Sequence, residues 1–188
     1  MKMYSQEIGK QKAFIVLAVA LASLMCTVSA LALDTSVNRL SLQGLEAVGV
    51  LVEQIDPAIE EEGLTTGEIE RLVEARIRRA GMKVLSGEDF SFALGRPAIY
   101  VSAKISTLRT QEGRAWGYLC STEVALTQDS FLVRSPQITV PAATWKTDII
   151  GIFPDLKTIR DKITGALDAF VDAYQSANPA AKGSGVRK

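Results

Sequence analysis

The side chains of this 188-residue chain that could do chemistry are mainly carboxylates, because the sequence contains no histidine. Histidine is the commonest general base and the commonest metal ligand in proteins. Glu123 and Asp148 fall on neighbouring predicted strands, where two carboxylates could act together in hydrolysis. The alternative is that Lys104 or Lys146 forms cross-strand ion pairs with them, which stabilises a sheet without any chemistry. We favour the ion pairs.

Cys120 is the cysteine of the predicted domain, since Cys26 lies in the N-terminal apolar segment. Cys120 alternates with Tyr118 and Thr122 on the inward face of a predicted strand, so we expect a buried structural thiol and not a nucleophile. A mature chain with one cysteine forms no internal disulfide and no thiolate metal cluster. The sequence also lacks the GxGxxG phosphate loop and the GxSxG nucleophile elbow. No cofactor is expected.

Two charge clusters have ordinary structural explanations. Glu60-Glu61-Glu62 could bind a cation, but a solvated turn is the simpler interpretation. Arg76, Arg78 and Arg79 could meet anionic lipid, yet the last turn of a helix attracts cations in any case. After removal of the first 32 residues the chain has mixed charges and a small net negative charge. This balance argues against a nucleic-acid partner, which would require a basic face.

The first 32 residues follow the order of a secretory signal peptide. Residues 1–12 are polar and contain three lysines, and Ala13–Met25 is apolar without interruption. Small residues then offer cleavage after Ala30 or Ala32. This order is typical of export, so we predict a periplasmic protein.

Two alternatives remain for the N-terminal segment. Residues 13–33 carry no charge and are long enough to span a bilayer, so an uncleaved membrane anchor is possible. In the second alternative Cys26 becomes a lipidated N-terminus, although Met25 stands where a bacterial lipobox has Gly or Ala. In the first alternative the membrane contact is made only by this segment.

Apolar periodicity predicts one domain over residues 45–178, between a lead-in at 33–44 and a disordered tail at 179–188. Thr65 and Glu68 have capping-box spacing before an amphipathic helix that ends at Gly81. A second helix runs from Pro154 to Asn178. The predicted strands are Leu45–Ile55, Met82–Leu85, Ala98–Leu108, Trp116–Gln128 and Ile138–Ile150.

The order of these elements is β-α-β-β-β-(β)-α. It predicts an α+β two-layer sandwich, with a mixed but mostly antiparallel sheet and two helices on one face. In the predicted strand that begins at Trp116, the apolar residues change from even-numbered to odd-numbered positions near Asp129-Ser130. One extra residue explains the change, either as a β-bulge or as a tight turn, and we favour the bulge slightly.

The sheet face away from the helices is the predicted functional surface. A sheet covered by one layer leaves its other face to water or to a partner. Five residues are expected to project there: Tyr100, Lys104, Leu119, Glu123 and Lys146.

Several segments together resemble small exported bacterial domains of the TolB N-terminal/CsgG-like type. They are the strand Gly44–Val50, the capped helix that ends in Arg78-Arg79-Ala80-Gly81, the short strand Val84-Leu85 and the later antiparallel hairpin. The resemblance implies an envelope protein that docks to other proteins without catalysis. The pair Thr144-Trp145 is similar to that of uncharacterised secreted bacterial proteins. Neither resemblance assigns functional residues.

The function expected from the sequence is that of a non-catalytic exported envelope protein acting through protein–protein contacts or self-association. One alternative is a periplasmic module that binds a small ligand in a groove between sheet and helices. The other is a hydrolase that uses carboxylates, as discussed for Glu123 and Asp148.

Overall fold

Residues 33–179 are described by a computed structural model, so the predicted signal peptide and most of the predicted tail lie outside the described residues. In chain order the elements are α1 (Ser36–Leu40), β1 (Ala47–Val52), α2 (Pro57–Glu61), α3 (Thr66–Arg79), β2 (Lys83–Val84), α4 (Gly87–Phe92), β3 (Ala98–Arg109), β4 (Ala115–Leu132), β5 (Ser135–Phe153) and α5 (Leu156–Ala177). No helix of this part of the chain is long and apolar enough to cross a membrane.

The five strands form one sheet in the order β2-β1-β3-β4-β5. β1 is parallel to both β2 and β3. α3 carries the chain back between β1 and β2, and the segment with α4 does so between β2 and β3. β3, β4 and β5 are antiparallel neighbours joined by hairpins. The predicted α+β class and mixed sheet are confirmed.

The predicted N-cap Thr65 and the terminating Gly81 of α3 are confirmed, whereas the reciprocal half of the predicted capping box is not formed. The Thr65 hydroxyl accepts a hydrogen bond from the Glu68 N–H at 3.2 Å. Glu68 does not complete the capping box, because its carboxylate pairs with Arg160 of α5 at 2.7 Å. Gly81 takes a φ of +88° immediately after the helix, which glycine adopts without strain. The buried side of the helix consists of Ile69, Val73 and Ile77.

α5 packs beside α3 on the same face of the sheet. Asp155 caps its start by accepting a hydrogen bond from the Thr158 N–H at 2.7 Å. The Phe170 ring meets the edge of Trp145 of β5, with ring centroids 5.3 Å apart. Both rings are fully buried. The core therefore lies between the two long helices and the side chains of one sheet face.

Residues 33–44, for which the sequence predicted a lead-in, contact the core directly. They contain α1, and Leu42 is fully buried. Leu33 forms an isolated antiparallel bridge with Lys146 of β5. The Asp34 carboxylate accepts a hydrogen bond from the Trp145 indole at 2.9 Å.

The extra residue was predicted near Asp129-Ser130 in β4, but the structure has it in β5. β4 continues through both residues to Leu132, and the chain turns at Val133-Arg134. The bulge lies in β5, where Leu126 pairs with Trp145 and Thr127 pairs with Ala143, so that Thr144 is additional. Beyond Thr127, β5 is the only strand paired with β4 among residues 33–179, since β3 begins at Ala98, the partner of Thr127. Residues 128–142 therefore form a two-stranded extension, called the arm below.

Candidate functional site

The face of the sheet opposite α3 and α5, called the open face below, carries a mixed polar and apolar surface. Residues aligned across the strands lie on one side of a sheet, so the pairing register identifies the members of this face. One row contains Ser102, Glu123 and Asp148. The row before it contains Leu51, Tyr100, Ala125 and Lys146.

Lys146, on the last strand of the sheet, joins two carboxylates of the open face. Its Nζ lies 3.1 Å from Oε2 of Glu123 and 3.1 Å from Oδ2 of Asp148. These contacts raise the pKa of Lys146, with the hydrogen bond to Asp148 as the larger cause. The three residues are half-buried, so the charges are partly shielded from water. They form an ion cluster on the open face.

Glu53, Ser102 and Tyr100 extend this polar cluster toward β1. The Ser102 hydroxyl donates a hydrogen bond to the Glu53 carboxylate. This bond lowers the pKa of Glu53. Burial is the main cause of the raised pKa of Tyr100. At neutral pH Glu53 is therefore ionised and Tyr100 keeps its phenolic proton.

An apolar patch borders the ion cluster. Leu119 lies directly opposite Ile152, and Ile150 is opposite Ser121 in the next row. Leu119, Ile150 and Ile152 are between 46% and 57% exposed. Contiguous exposed aliphatic groups beside ordered charges are typical of surfaces that contact another macromolecule.

α4 covers one corner of the open face. The Phe90 ring lies against Gly49, where an added Cβ would be 2.7 Å from a ring carbon. Gly49 aligns with Ala98, which places this contact on the side away from α3 and α5. The sequence did not predict this contact.

All five residues predicted to face a partner lie on the open face. Glu123 and Lys146 are in direct contact, and Tyr100 and Lys146 align across Ala125. Lys104 and Leu119 lie on later rows, further from the arm. Five other members of the surface were not predicted to face a partner: Leu51, Glu53, Ser102, Ile150 and Ile152.

The remaining candidates from the sequence have structural partners. Cys120 is buried, and burial raises the pKa of its thiol. Glu60 accepts a hydrogen bond from the Thr66 N–H at 2.8 Å. Arg76 pairs with Asp168 at 2.6 Å. Within residues 33–179 there is no group of three or more Cys, Asp or Glu side chains that could hold a metal ion.

The carboxylate pair considered for hydrolysis is present but is bridged by a cation. Glu123 and Asp148 are aligned partners of β4 and β5, and Lys146 contacts both. A glycosidase-type mechanism requires one carboxylic acid that keeps its proton near neutral pH. Here Lys146 contacts both carboxylates in ion pairs. This arrangement suits binding better than proton transfer.

No protein-family model matches the sequence, and no curated protein is significantly similar to it. Among solved structures, the rare lipoprotein B of Shewanella oneidensis is 15% identical, with a TM-score of 0.29, and the match covers 71% of this chain and 96% of that chain. An uncharacterized lipoprotein B of Nitrosomonas europaea is 16% identical, with a TM-score of 0.33, and the match covers 75% and 88%. At these values neither structure assigns a family or a function. The TolB/CsgG-like resemblance stays a prediction.

Proposed function

We propose that this chain is a non-catalytic exported envelope protein that binds another protein through the open face of its sheet. The observation that carries the proposal is the apolar patch of Leu119, Ile150 and Ile152 beside the ion cluster of Lys146. The signal-peptide pattern of residues 1–32 supports export.

The chemistry of the open face defines what the partner must offer. Exposed aliphatic side chains stabilise a complex when they are withdrawn from water, by roughly 1.5–3 kcal/mol for each one that becomes fully buried. The ion cluster contributes orientation more than affinity, since its charges already have partners. We therefore infer a partner with an apolar strip flanked by polar groups.

The proposal is tested by replacing Leu119 and Ile152 with serine in one variant. Both side chains are exposed, so the melting temperature should change little. Binding to a purified partner should weaken by at least about tenfold, because two apolar contacts are lost. The matched control is the variant Phe131→Ser/Val133→Ser, which removes exposed apolar groups from the arm. Equal loss of binding in both variants would contradict the proposal.

A further inference from the structure

β5 is an edge strand of the sheet, since it pairs with β4 on one side and with no other strand among residues 33–179. In this part of the chain its outer side makes one pairing, an isolated antiparallel bridge between Lys146 and Leu33. The Lys146 N–H donates to the Leu33 carbonyl at 3.4 Å. The outer side of β5 from Thr147 to Phe153, called the free edge below, therefore lacks a strand partner among the described residues.

The direction of the Lys146 N–H identifies the backbone groups that the free edge offers. Successive residues of an antiparallel strand direct their N–H and C=O groups alternately to the two sides. β5 keeps one register with β4 from Trp145 to Phe153, so the alternation is unbroken there. Lys146 points outward, and every second residue after it does the same. The outward groups are those of Asp148, Ile150 and Ile152.

One part of the free edge has none of the features that protect edge strands. Natural sheets block pairing with another chain by charges, prolines and bulges at their edges. The earlier part of β5 has all three, in Pro141, the bulge at Thr144 and the charge of Lys146. Residues 149–153 are uncharged, contain no proline and pair regularly with β4. This segment is therefore open to pairing with another strand.

The same segment is complementary to itself. A twofold axis at Gly151 places Ile150 opposite Ile152 of a second copy, and Ile149 opposite Phe153 of that copy. Each outward residue then meets an outward residue, as the hydrogen-bonded pairs of an antiparallel ladder require. The opposed side chains are all apolar, and glycine at the axis adds no side chain to the closest pair. A symmetric dimer requires an interface of this self-matching kind.

The neighbouring registers fit less well. An axis between two residues would oppose an outward residue to an inward one. An axis at Ile150 would place the Asp148 carboxylate opposite the apolar Ile152. An axis at Ile149 would bring Ile152 of the second copy beside Lys146, where Leu33 lies. An axis at Ile152 would shorten the pairing, because β5 ends at Phe153. The register about Gly151 avoids all of these conflicts.

The processed chain is too short before Leu33 to cover this segment. Cleavage after Ala30 leaves Leu31 and Ala32 before Leu33, and cleavage after Ala32 leaves neither. An antiparallel continuation of the bridge at Lys146 by these residues would reach Asp148 at most. Residues 149–153 therefore stay available to a second copy.

We propose that two copies of the processed protein pair antiparallel through their free edges about Gly151, which joins two sheets into one. The outward N–H and C=O groups form the ladder, and withdrawal of Ile150 and Ile152 from water, 52% and 57% exposed, stabilises it. The inference goes beyond the proposed function, because the occupant is a second copy and the contact is a strand edge. Leu119, on the face of β4, stays accessible to another protein.

The first test measures the oligomeric state of the processed protein by sedimentation velocity over a range of concentrations. The parent should form a reversible dimer. Ile150→Pro removes an outward N–H and leaves the pairing with β4 in place. The dissociation constant of the dimer should therefore rise by at least about tenfold, since each copy loses a hydrogen bond and the ring obstructs the approach of the other strand.

The matched control is Thr139→Pro, an exposed position of the same strand in the arm. Asp129, the partner of Pro141, directs its N–H away from β5 to the Gly95 carbonyl, so Pro141 and Thr139 also point outward from β4. Thr139→Pro should dimerise like the parent. A monomeric parent, an Ile150→Pro variant that dimerises like the parent, or equal dissociation of both proline variants would overturn the proposal.

Failure of the dimer and failure of the proposed function are distinguishable. Leu119→Ser should weaken binding of a partner by the open face and leave the dimer intact, because Leu119 is not on the free edge. A monomeric parent that still binds a partner through Leu119 would overturn the dimer alone. In that case the free edge would be left to a strand of another protein.

The second test examines the register and does not depend on proline. Ile150→Lys and Ile152→Glu are opposed to each other across the proposed axis, and each alone should weaken the dimer. When the two variants are mixed, the lysine and glutamate side chains form a cross-strand pair in the heterodimer only. Native mass spectrometry should therefore show heterodimers above their statistical share. Heterodimers at or below that share would contradict the register about Gly151.

Discussion

Asp34 joins the N-terminal segment to the core at a single carboxylate. Its Oδ1 accepts hydrogen bonds from the buried Trp145 indole at 2.9 Å and from Arg39 at 2.7 Å. The contact with Arg39 is the largest cause that lowers the pKa of Asp34. The carboxylate is therefore more stable in the folded state than in the unfolded state.

We predict an acid-dependent loss of stability from Asp34. The folded pKa lies below the ordinary value of 3.8, so the stabilisation is fully present above that value and is lost as the pH falls through the folded pKa. Asp34→Asn should lower the free energy of unfolding by about 1–3 kcal/mol at neutral pH. Urea unfolding across the acid range measures this. A difference between parent and variant that does not shrink in acid would contradict the assignment.

The residue-level predictions succeeded where partners are adjacent across a hairpin. Glu123, Lys146 and Asp148 face one another because two neighbouring strands fix their spacing, and the sequence pattern shows those strands. The contact of Asp34 with Trp145 spans 111 positions and depends on how the N-terminal segment crosses the sheet. No local pattern encodes it.

At the scale of elements, the two long helices hold the sheet mainly by apolar burial. α5 buries a continuous stripe that includes Phe170, Ile163 and Leu167. Two ion pairs also connect α3 and α5, Arg76–Asp168 and Arg160–Glu68. Their side chains are between 30% and 48% exposed, so each pair contributes at most about 1 kcal/mol.

Two substitutions separate these contributions. Phe170→Ala should lower the free energy of unfolding by about 3–5 kcal/mol, because it leaves a cavity against Trp145. Arg76→Met keeps much of the side-chain volume and removes the ion pair, so the loss should be at most about 1 kcal/mol. Both values come from urea unfolding. Similar losses for the two variants would show that the helix interface depends on charge.

The order of the elements was predictable, but the bulge was not placed correctly. The alternation of apolar residues in β4 follows burial only where β4 lies in the body of the sheet. Past Thr127 the strand enters the arm, where Phe131 is exposed and the pairing with β5 shifts register between Phe131 and Leu132, with the extra residues in β5. The change in apolar alternation near Asp129-Ser130, which suggested a bulge, therefore marks the point where β4 leaves the body of the sheet. The sequence does not reveal the bulge at Thr144, because β5 has apolar residues directly before and after this position.

At the scale of the whole molecule, one sheet face is committed to the core and the other remains largely uncovered. α4 closes one corner of the open face through Phe90 and Gly49. The arm carries the exposed side chains Phe131, Val133 and Arg134 at the other end of β4.

We predict that the exported protein begins at Leu31 or Leu33, because the small residues before these positions fit signal-peptide cleavage. Intact-mass analysis of periplasmic material measures the N-terminus directly. A full-length species confined to membranes would support the uncleaved anchor. A chain starting at Cys26 with added lipid mass would support lipidation, and either result would contradict the predicted cleavage.

The proposed function is the binding of an envelope protein by the open face. Photo-cross-linking amino acids placed at Leu119 and Ile152 test it most directly, with Arg71 and Lys162 as control positions on the outer sides of the two long helices. We expect one discrete cross-linked protein from both open-face positions and none from the controls. Cross-links of equal yield from all four positions, or from the helix positions alone, would contradict it.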